Sequence, residues 1–239
     1  MANPTAAMLV IGDEILSGRT RDSNMHYLAG ELTRHGIRLQ EVRVVADDHV
    51  TIVAAVNALR VGYDHLFTSG GIGPTHDDIT AEAIAAAFGV AISQRADALA
   101  LLAAHYDRAG LEFNDARKQM ARIPDGASLI DNPVSTAPGF TLGNVHVMAG
   151  VPNIFQAMVA SVMPTLTGGE PLLSQSLRVN CGEGEVAGPF GVLAAAFPDL
   201  SMGSYPFIHN GAHGTNLVIR GTDAAQIDAA MTQLAALFP

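Results

Sequence analysis

The sequence holds 239 residues, of which 49% are hydrophobic and 15% are charged, so it can form one medium domain or a domain with a small appendage. A formal net charge of −10 argues against a nucleic-acid-binding protein, which needs a basic face. The single cysteine excludes an intrachain disulfide, and the absence of a long apolar stretch leads us to expect a cytoplasmic protein without membrane contact.

The first predicted strand covers residues 6–11, where a continuous apolar run indicates a sheet that is covered on both faces. It ends at Gly12-Asp13-Glu14. Ligands of open α/β sheets bind beyond the carboxyl ends of the strands, so Asp13 and Glu14 are candidate ligands of a divalent cation such as Mg²⁺. A helix then begins around Asn24 and ends at Gly36, and Asn24 is either a cap or a ligand contact.

The second predicted strand covers residues 37–45 and leads into Asp47 and Asp48, before a helix over residues 51–60. One of these two aspartates is expected to cap the helix. Asp47 follows the strand closely enough to reach the same ligand-binding edge as the first turn.

The third strand-to-helix turn reads SGGIGPTHDD and precedes a helix predicted over residues 79–88. Its glycines allow the backbone to turn sharply and approach a ligand, and the amides at a helix start favour an anion. The sequence is not a phosphate-binding GxxxxGK[ST] loop, and His76 replaces the third glycine of a dinucleotide-binding GxGxxG. The candidate phosphate-binding residues of this turn are Gly70, Gly71, Gly73, Pro74 and Thr75.

Two adjacent carboxylates, Asp77 and Asp78, occupy the same turn. Carboxylates repel a phosphate unless a cation lies between them, so the turn predicts a phosphate together with a hard cation. One of the two can be a helix cap instead. Carboxylates at three strand ends argue for a cation or a general base more strongly than any single turn does.

The motif GGIGPTHDDIT resembles the signature of molybdopterin-binding domains of the MoaB/Mog type. It is closer still to the N-terminal domain of the competence/damage-inducible (CinA) family, and the run GDEILSGRTRDSN resembles the opening motif of that family. The N-terminal part of some FAD synthases is a further relative. The resemblance implies a three-layer α/β/α sandwich with a mainly parallel sheet. It also implies functional roles for Asn24 and Asp47, which match motif positions of these families.

The segment after residue 90 predicts a helix over residues 94–109, with Leu101 among its inward-facing residues, and a basic helix over residues 114–122. The run NDARKQMARIPDGASLIDNPVSTAPGF resembles a CinA segment that ends in an APGF turn. The resemblance implies that Arg117, Thr136 and Gly139 lie near the ligand. A hairpin over residues 140–148 and a helix over residues 154–163 complete this part.

A Gly- and Pro-containing stretch at residues 165–171 suggests a boundary, and we expect an α/β domain over residues 1–168 and a small α+β lobe over residues 169–239. The lobe reads as strand, helix, two strands and helix. Its first helix is expected to start late because of Pro189.

The resemblance and the carboxylates together predict a metal-dependent nucleotide pyrophosphatase that acts on ADP-ribose or FAD. The predicted catalytic residues are Asp47, Asp77 and Asp78, and the predicted metal ligands are Asp13, Glu14 and Asp78. Two alternatives stay open: a protein that binds molybdopterin or a nucleotide without turnover, and an adenylyltransferase that acts on molybdopterin. We expect a homo-oligomer, as among relatives, and expect neither the deamidase activity of longer CinA proteins nor the catalytic half of FAD synthase.

Overall fold

The computed structural model describes residues 3–209 and 211–238, which divide into two compact units, one ending at Gly169 and the other beginning at Glu170. Each unit has its own hydrophobic core. Among the described residues, no helix has both the length and the apolar character needed to cross a bilayer.

The first unit is built on a six-stranded sheet with the order β2-β1-β3-β8-β7-β6. Strands β2, β1, β3 and β8 run parallel, and β7 is antiparallel to both of its neighbours. The strands of this unit are β1 (Thr5–Ile11), β2 (Arg38–Val45), β3 (His65–Ser69), β4 (Ile92–Gln94), β5 (Arg122–Pro124), β6 (Ser128–Ile130), β7 (Gly139–Leu142) and β8 (Val145–Met148). The predicted mainly parallel sheet is therefore confirmed.

Helices cover both faces of this sheet and make the predicted three layers. They are α1 (Asp13–Leu16), α2 (Asn24–Arg34), α3 (His49–Gly62), α4 (Thr80–Phe88), α5 (Ala96–Arg108), α6 (Asp115–Lys118) and α7 (Pro152–Val162). Side chains of α3, α4 and α5 build one core, and those of α2 and α7 build the other.

Strand β1 explains the continuous apolar run near the start of the sequence. It lies between β2 and β3, and successive side chains of a strand point to opposite faces. One set (Ala7, Leu9 and Ile11) therefore enters the α3–α5 core, and the other (Ala6, Met8 and Val10) enters the α2–α7 core.

The predicted basic helix over residues 114–122 is wrong. Helix α6 stops at Lys118, a 3₁₀ turn follows, and residue 122 already begins β5, which pairs with β4. Ile123 is only 2% exposed because it packs in the core, so burial of the strand outweighs helical continuation. The prediction that Leu101 of α5 faces inward is also wrong, because its side chain is exposed.

The second unit contains β9 (Leu173–Val179), α8 (Glu183–Ala196), β10 (Ser201–His209), β11 (Ala212–Gly221) and α9 (Ala224–Leu237). The strands form an antiparallel sheet in the order β10-β11-β9, and both helices pack on its apolar face. Helix α8 runs through Pro189 instead of starting late, because Val186 and Phe190 on either side of the proline are held in the core.

Candidate functional site

The candidate site lies where the parallel strands β1, β2, β3 and β8 end. Their carboxyl ends meet at one edge of the sheet, and the residues that follow them line a cavity of about 600 Å³. The predicted site residues on its wall are Glu14, Asp47, Gly70, Gly71, Gly73, Pro74, Asp77 and Asp78.

Two positions after β3 accept only glycine without strain, because of their backbone angles and close contacts. Gly70 has φ +110°, and a Cβ atom there would lie 2.2 Å from the carbonyl oxygen of Ile11. Gly71 has φ +69°, and its Cβ atom would lie 2.1 Å from the hydroxyl oxygen of Thr80. That hydroxyl donates to the Gly70 carbonyl at 3.0 Å, so the first turn of α4 holds the loop. The loop therefore brings bare backbone to the cavity wall.

Asp78 holds the next turn together. Its Oδ2 accepts the Thr75 amide at 2.8 Å and the Thr75 hydroxyl at 2.6 Å. The predicted role of the Thr75 hydroxyl as a phosphate donor is therefore not supported by this geometry, because the hydroxyl is already donating. Asp78 lies on the cavity wall, so it combines a structural role with access to a ligand.

Asp77 and His76 are exposed residues of this turn. The side chain of His76 is fully exposed, and its Nδ1 lies 3.8 Å from Oδ1 of Asp77. The nearby Thr75 hydroxyl and the Asp77 backbone amide lower the pKa of the Asp77 carboxyl. Asp77 is therefore a carboxylate at neutral pH on the cavity wall.

Asp47 and Asp48 have different roles, which the sequence left open. Asp48 caps α3, since its Oδ2 accepts the Thr51 amide at 2.8 Å and the Thr51 hydroxyl at 2.7 Å. Asp47 instead faces the cavity, and its Oδ2 accepts the Asp13 amide at 2.9 Å.

The electrostatic environment of Asp47 is unfavourable for a charged carboxylate. Burial raises its pKa, and the charges of Asp13, Glu14 and Asp77 raise it further, against the lowering effect of the hydrogen bond from the Asp13 amide. Asp47 is therefore the centre of an acidic cluster, and an added cation would reduce the repulsion among its carboxylates.

The predicted metal ligands do not form a finished metal site. Across residues 3–209 and 211–238, no three His, Cys, Asp or Glu side chains are arranged so that they could hold a metal ion. Glu14 lies on the cavity wall, whereas Asp13 contributes its amide to Asp47 and is not on the wall. A cation here would need further ligands from the bound molecule.

Asn24 joins three elements beside the cavity. Its Nδ2 donates to the hydroxyl oxygen of Ser69 and to the carbonyl oxygen of Gly150, both at 2.8 Å. The capping role belongs to Asp22, whose carboxylate accepts the amides of Asn24 and Met25. Asn24 is 4% exposed, so it ties α2 to the ends of β3 and β8 instead of capping the helix.

Three other predicted ligand residues are not on the cavity wall. Arg117 donates to the Glu112 carbonyl and stacks over the ring of Tyr106 at 4.4 Å. Gly139 is buried in β7, where a Cβ atom would lie 2.4 Å from a backbone carbonyl oxygen of β8. Thr136 has φ +66°, and its hydroxyl pairs with Nδ1 of His105 at 3.0 Å.

The structure also adds wall residues that the sequence did not identify. Arg19 is the only basic residue among the described residues that line the cavity, and its place just after the GDE turn was the available signal. Asn132 and Ser135 come from the loop before β7, where the Asn132 side chain binds both the Ser135 amide and the Ser135 hydroxyl. Wall residues with apolar side chains include Met120, Ile154 and Met158.

Comparisons with known proteins agree with this architecture. Residues 7–168 match the family model described as a probable molybdopterin-binding domain, and residues 171–239 match the FAD synthase middle domain. A "CinA-like protein" of Citrifermentans bemidjiense is 35% identical over 205 residues, which cover 84% of this chain and 48% of the relative. A "Probable FAD synthase" of Caenorhabditis elegans is 32% identical over 255 residues, which cover 96% of this chain and 49% of the relative.

A solved structure supports the same assignment. The protein CinA of Thermoplasma acidophilum, described as having unknown function, superposes with a TM-score of 0.63 at 33% identity, over 69% of this chain and 99% of that chain. The chain spans about half the length of the curated relatives named above. It belongs to the molybdopterin-binding domain family, as a CinA-like member in which a FAD synthase middle domain follows the molybdopterin-binding domain.

Proposed function

We propose that this chain is a metal-dependent pyrophosphatase that cleaves the diphosphate of a nucleotide such as ADP-ribose or FAD. The observation that carries the proposal is the environment of Asp47. This carboxyl lies on the wall of the cavity, and burial and three neighbouring carboxylates raise its pKa. A perturbed acidic group in a cavity is a common mark of acid–base or metal chemistry.

The size and composition of the cavity support a nucleotide ligand. A volume of about 600 Å³ is typical of small-molecule sites. Backbone at Gly70–Gly73 can approach phosphate oxygens closely, and the planar guanidinium of Arg19 can bind phosphate with two hydrogen bonds. Apolar wall residues such as Met120 and Met158 suit the face of a nucleobase or a flavin.

The acidic cluster supports a divalent cation that is completed by the substrate. Mg²⁺ is often held by one or two carboxylates together with substrate phosphates, so the absence of a three-residue site among the described residues fits this mode. Glu14, Asp47 and Asp77 or Asp78 are the carboxylates on the wall that would hold it. A bound cation would neutralise charge on the diphosphate and lower the pKa of a water molecule.

Two residues of the cavity wall, Asp47 and Arg19, would handle the proton and the negative charge in this reaction. Asp47 accepts a proton from the attacking water, and its raised pKa brings it closer to neutral pH, where a general base works best. The water oxygen bonds to one phosphorus, the bond from that phosphorus to the bridging oxygen breaks, and two phosphate monoesters result. Arg19 donates to the phosphate oxygens and stabilises their charge.

The test is hydrolysis of ADP-ribose, FAD, NAD and coenzyme A by the purified protein, with Mg²⁺, Mn²⁺ or Co²⁺ and with a chelator. The Asp47→Asn variant should lose about a hundredfold or more of the activity. An Asp107→Asn variant, at an exposed position of α5, is the matched control and should keep it. Hydrolysis that survives the chelator, or that Asp47→Asn leaves intact, contradicts the proposal.

A second candidate function is binding of molybdopterin or a nucleotide without turnover. It is favoured by the lack of a three-ligand metal group among the described residues and by the use of Asp78 in its own turn. It predicts calorimetric binding of one ligand and no cleavage in the same assay. Adenylyl transfer, the third alternative, predicts ATP consumption only when the pterin is present. A homo-oligomer and a cytoplasmic location stay predictions.

A further inference from the structure

One residue beside the cavity has a backbone conformation that its own side chain disfavours. Thr136 has φ +66°, and among residues 3–209 and 211–238 every other residue with a positive φ of this kind is a glycine. A β-branched side chain is an outlier there, because its Cβ atom approaches the following carbonyl oxygen too closely. Such a conformation persists only where the surrounding structure holds it, and it is often found at functional sites.

The side chain of Asn132 binds the residues on both sides of Thr136. Its Nδ2 donates to the hydroxyl oxygen of Ser135 at 2.7 Å and to the carbonyl oxygen of Ala137 at 2.8 Å. Its Oδ1 accepts the Ser135 amide at 3.2 Å, and its backbone carbonyl accepts the Thr136 amide at 2.9 Å. Asn132 is only 2% exposed, so little water competes for these bonds. They close the loop tightly, and the chain makes its sharp turn at Thr136.

The two flanking residues, Ser135 and Ala137, line the main cavity, whereas Thr136 does not. The φ angle of Thr136 sets the direction of the chain between them. A rotation to the negative φ that threonine prefers would redirect the chain, so that Ser135 and Ala137 could not both keep their places and their bonds to Asn132. The conformation of Thr136 therefore determines the shape of this part of the cavity wall.

His105 of α5 supplies the contact that holds the Thr136 side chain. The hydroxyl oxygen of Thr136 lies 3.0 Å from Nδ1 of His105, and both residues are half-buried. The His105 ring in turn makes an edge contact with the ring of Tyr106, with 5.3 Å between the ring centroids. His105 does not line the cavity, so it would reach a ligand only by acting through a neighbour such as Thr136.

We propose that His105 is a positioning residue of the cavity. By bonding the Thr136 hydroxyl, it holds Thr136 in the left-handed conformation that keeps Ser135 and Ala137 on the wall. The inference rests on the proposed function only for the identity of the ligand, ADP-ribose, with which its effect on binding is measured.

The first test compares two substitutions of Thr136 that both remove the hydroxyl. Thr136→Val keeps the β-branched shape, so the left-handed backbone loses its support, whereas glycine adopts a positive φ without support. We expect Thr136→Val to raise the KM for ADP-ribose about tenfold and Thr136→Gly to stay within about twofold of wild type. If the protein binds without turnover, the dissociation constant from calorimetry takes the place of KM. A hydroxyl that touched the ligand would instead make both variants lose equally.

The second test removes His105 with and without the strained residue. In the wild-type background, His105→Ala should raise KM about tenfold and leave kcat within about twofold, because the acidic cluster is untouched. In the Thr136→Gly background the same substitution should change KM by less than about twofold. A histidine that only stabilised the fold would not be rescued in this way. Arg108→Ala is the control, since Arg108 is an exposed residue of the same helix and donates to the Ala104 carbonyl; it should keep the wild-type KM.

Hydrogen exchange followed by mass spectrometry gives a readout that needs no ligand. The amides of residues 132–138 should exchange about tenfold faster in His105→Ala and in Thr136→Val than in wild type, because the loop is released. In the Thr136→Gly background, His105→Ala should leave the exchange of this segment unchanged.

The outcomes separate this inference from the proposed function. Faster exchange that Thr136→Gly suppresses, without hydrolysis of any nucleotide, supports the positioning role and contradicts the pyrophosphatase. Hydrolysis with an unchanged KM in His105→Ala overturns the positioning role and leaves the pyrophosphatase standing. Unchanged exchange in His105→Ala overturns the positioning role as well, and so do equal losses in Thr136→Val and Thr136→Gly.

Discussion

The cavity has two walls that are built by different means. The strand-end wall comprises the residues that follow β1, β2 and β3, including Glu14, Asp47 and Gly70. The loop wall comprises Met120, Asn132, Ser135 and Ala137. Parallel pairing fixes the first, because the register pairs the end of β1 with the ends of its neighbours: Ile11 with Val45 of β2, and Val10 with Ser69 of β3. Side-chain hydrogen bonds fix the second, mainly those of Asn132.

This difference explains which motif positions contact the cavity. In the strand-end wall, Asp47 and Gly70 lie where a residue after a parallel strand must lie. Arg117 and Thr136 lie outside the loop wall, because their polar groups bind Glu112 and His105. Ser135 and Ala137, which flank Thr136, line the cavity instead. For Arg117 and Thr136, a matching motif position therefore did not indicate a place on the cavity wall, because each side chain binds a nearby partner instead.

The largest effect should come from breaking the strand-end wall at Gly70. A Gly70→Ala change combines φ +110° with a Cβ atom 2.2 Å from a backbone oxygen. We expect a loss of at least about 3 kcal/mol in the free energy of unfolding, measured by urea denaturation. Gly110→Ala is the matched control, because its φ is also positive and its Cβ would meet nothing within 4 Å. It should cost only about 1 kcal/mol, and equal losses would contradict the argument.

The second effect should distinguish two carboxylates of the same wall. Asp47→Asn should reduce hydrolysis by about a hundredfold or more with little loss of stability, since it removes a charge that its neighbours disfavour. Asp78→Asn, by contrast, should destabilise the protein by about 1 kcal/mol, because Oδ2 of Asp78 accepts two hydrogen bonds from Thr75. Activity and thermal unfolding measured on both variants check this; equal stability losses would show that Asp78 does not hold the turn.

The third effect should separate the two arginines. Arg19→Ala should weaken nucleotide binding about tenfold or more, because Arg19 lies on the cavity wall and can bind phosphate. Arg117→Ala should leave binding within about twofold and cost roughly 0.5–1 kcal/mol of stability through its contact with Tyr106. Calorimetry with ADP-ribose measures both. A larger affinity loss in Arg117→Ala would restore the role that the motif resemblance implied.

The sequence predicted the sheet and the strand-end wall because both follow from local patterns. The apolar run of β1 favours a buried strand, and the glycines after β3 favour a tight loop. The strand at residue 122 was missed because its pairing partner, β4, is distant in sequence and only three residues long. Arg19 was missed because it lies in a loop that also contains Arg21, and no periodic pattern in the sequence distinguishes the two.

The sequence also could not predict which of several neighbouring polar residues caps a helix and which faces the cavity. Asp47 and Asp48 are equivalent as candidates for a cap, and only the backbone direction at the end of β2 decides that Asp48 takes the Thr51 amide. Asn24 likewise resembles a cap, but its contacts with Ser69 and Gly150 come from elements that are distant along the chain. Tertiary geometry decides such cases because each side chain has several partners of similar energy.

The smallest effect concerns how the strand-end wall responds to pH. In the folded protein the pKa of Asp47 lies above its ordinary value of 3.8, so the folded state holds this proton more tightly than the unfolded chain does. Ionisation of Asp47 therefore lowers stability as the pH rises from 3.8 through the folded-state pKa, and the loss is constant above it. Asp47→Asn should gain stability relative to wild type across that window, by less than about 1 kcal/mol.

Asp77 gives the opposite expectation on the same wall. Its pKa is lowered in the folded protein, so its carboxylate stabilises the fold above pH 3.8 and this contribution disappears as the pH falls through the folded-state pKa. Urea denaturation of Asp47→Asn, Asp77→Asn and wild type between pH 3 and 7 should therefore give stability differences of opposite sign. Differences of the same sign would mean that the acidic cluster acts as one shared charge. The strand-end wall would then have to be treated as a single titrating unit, with Asp47 no longer distinct as the base.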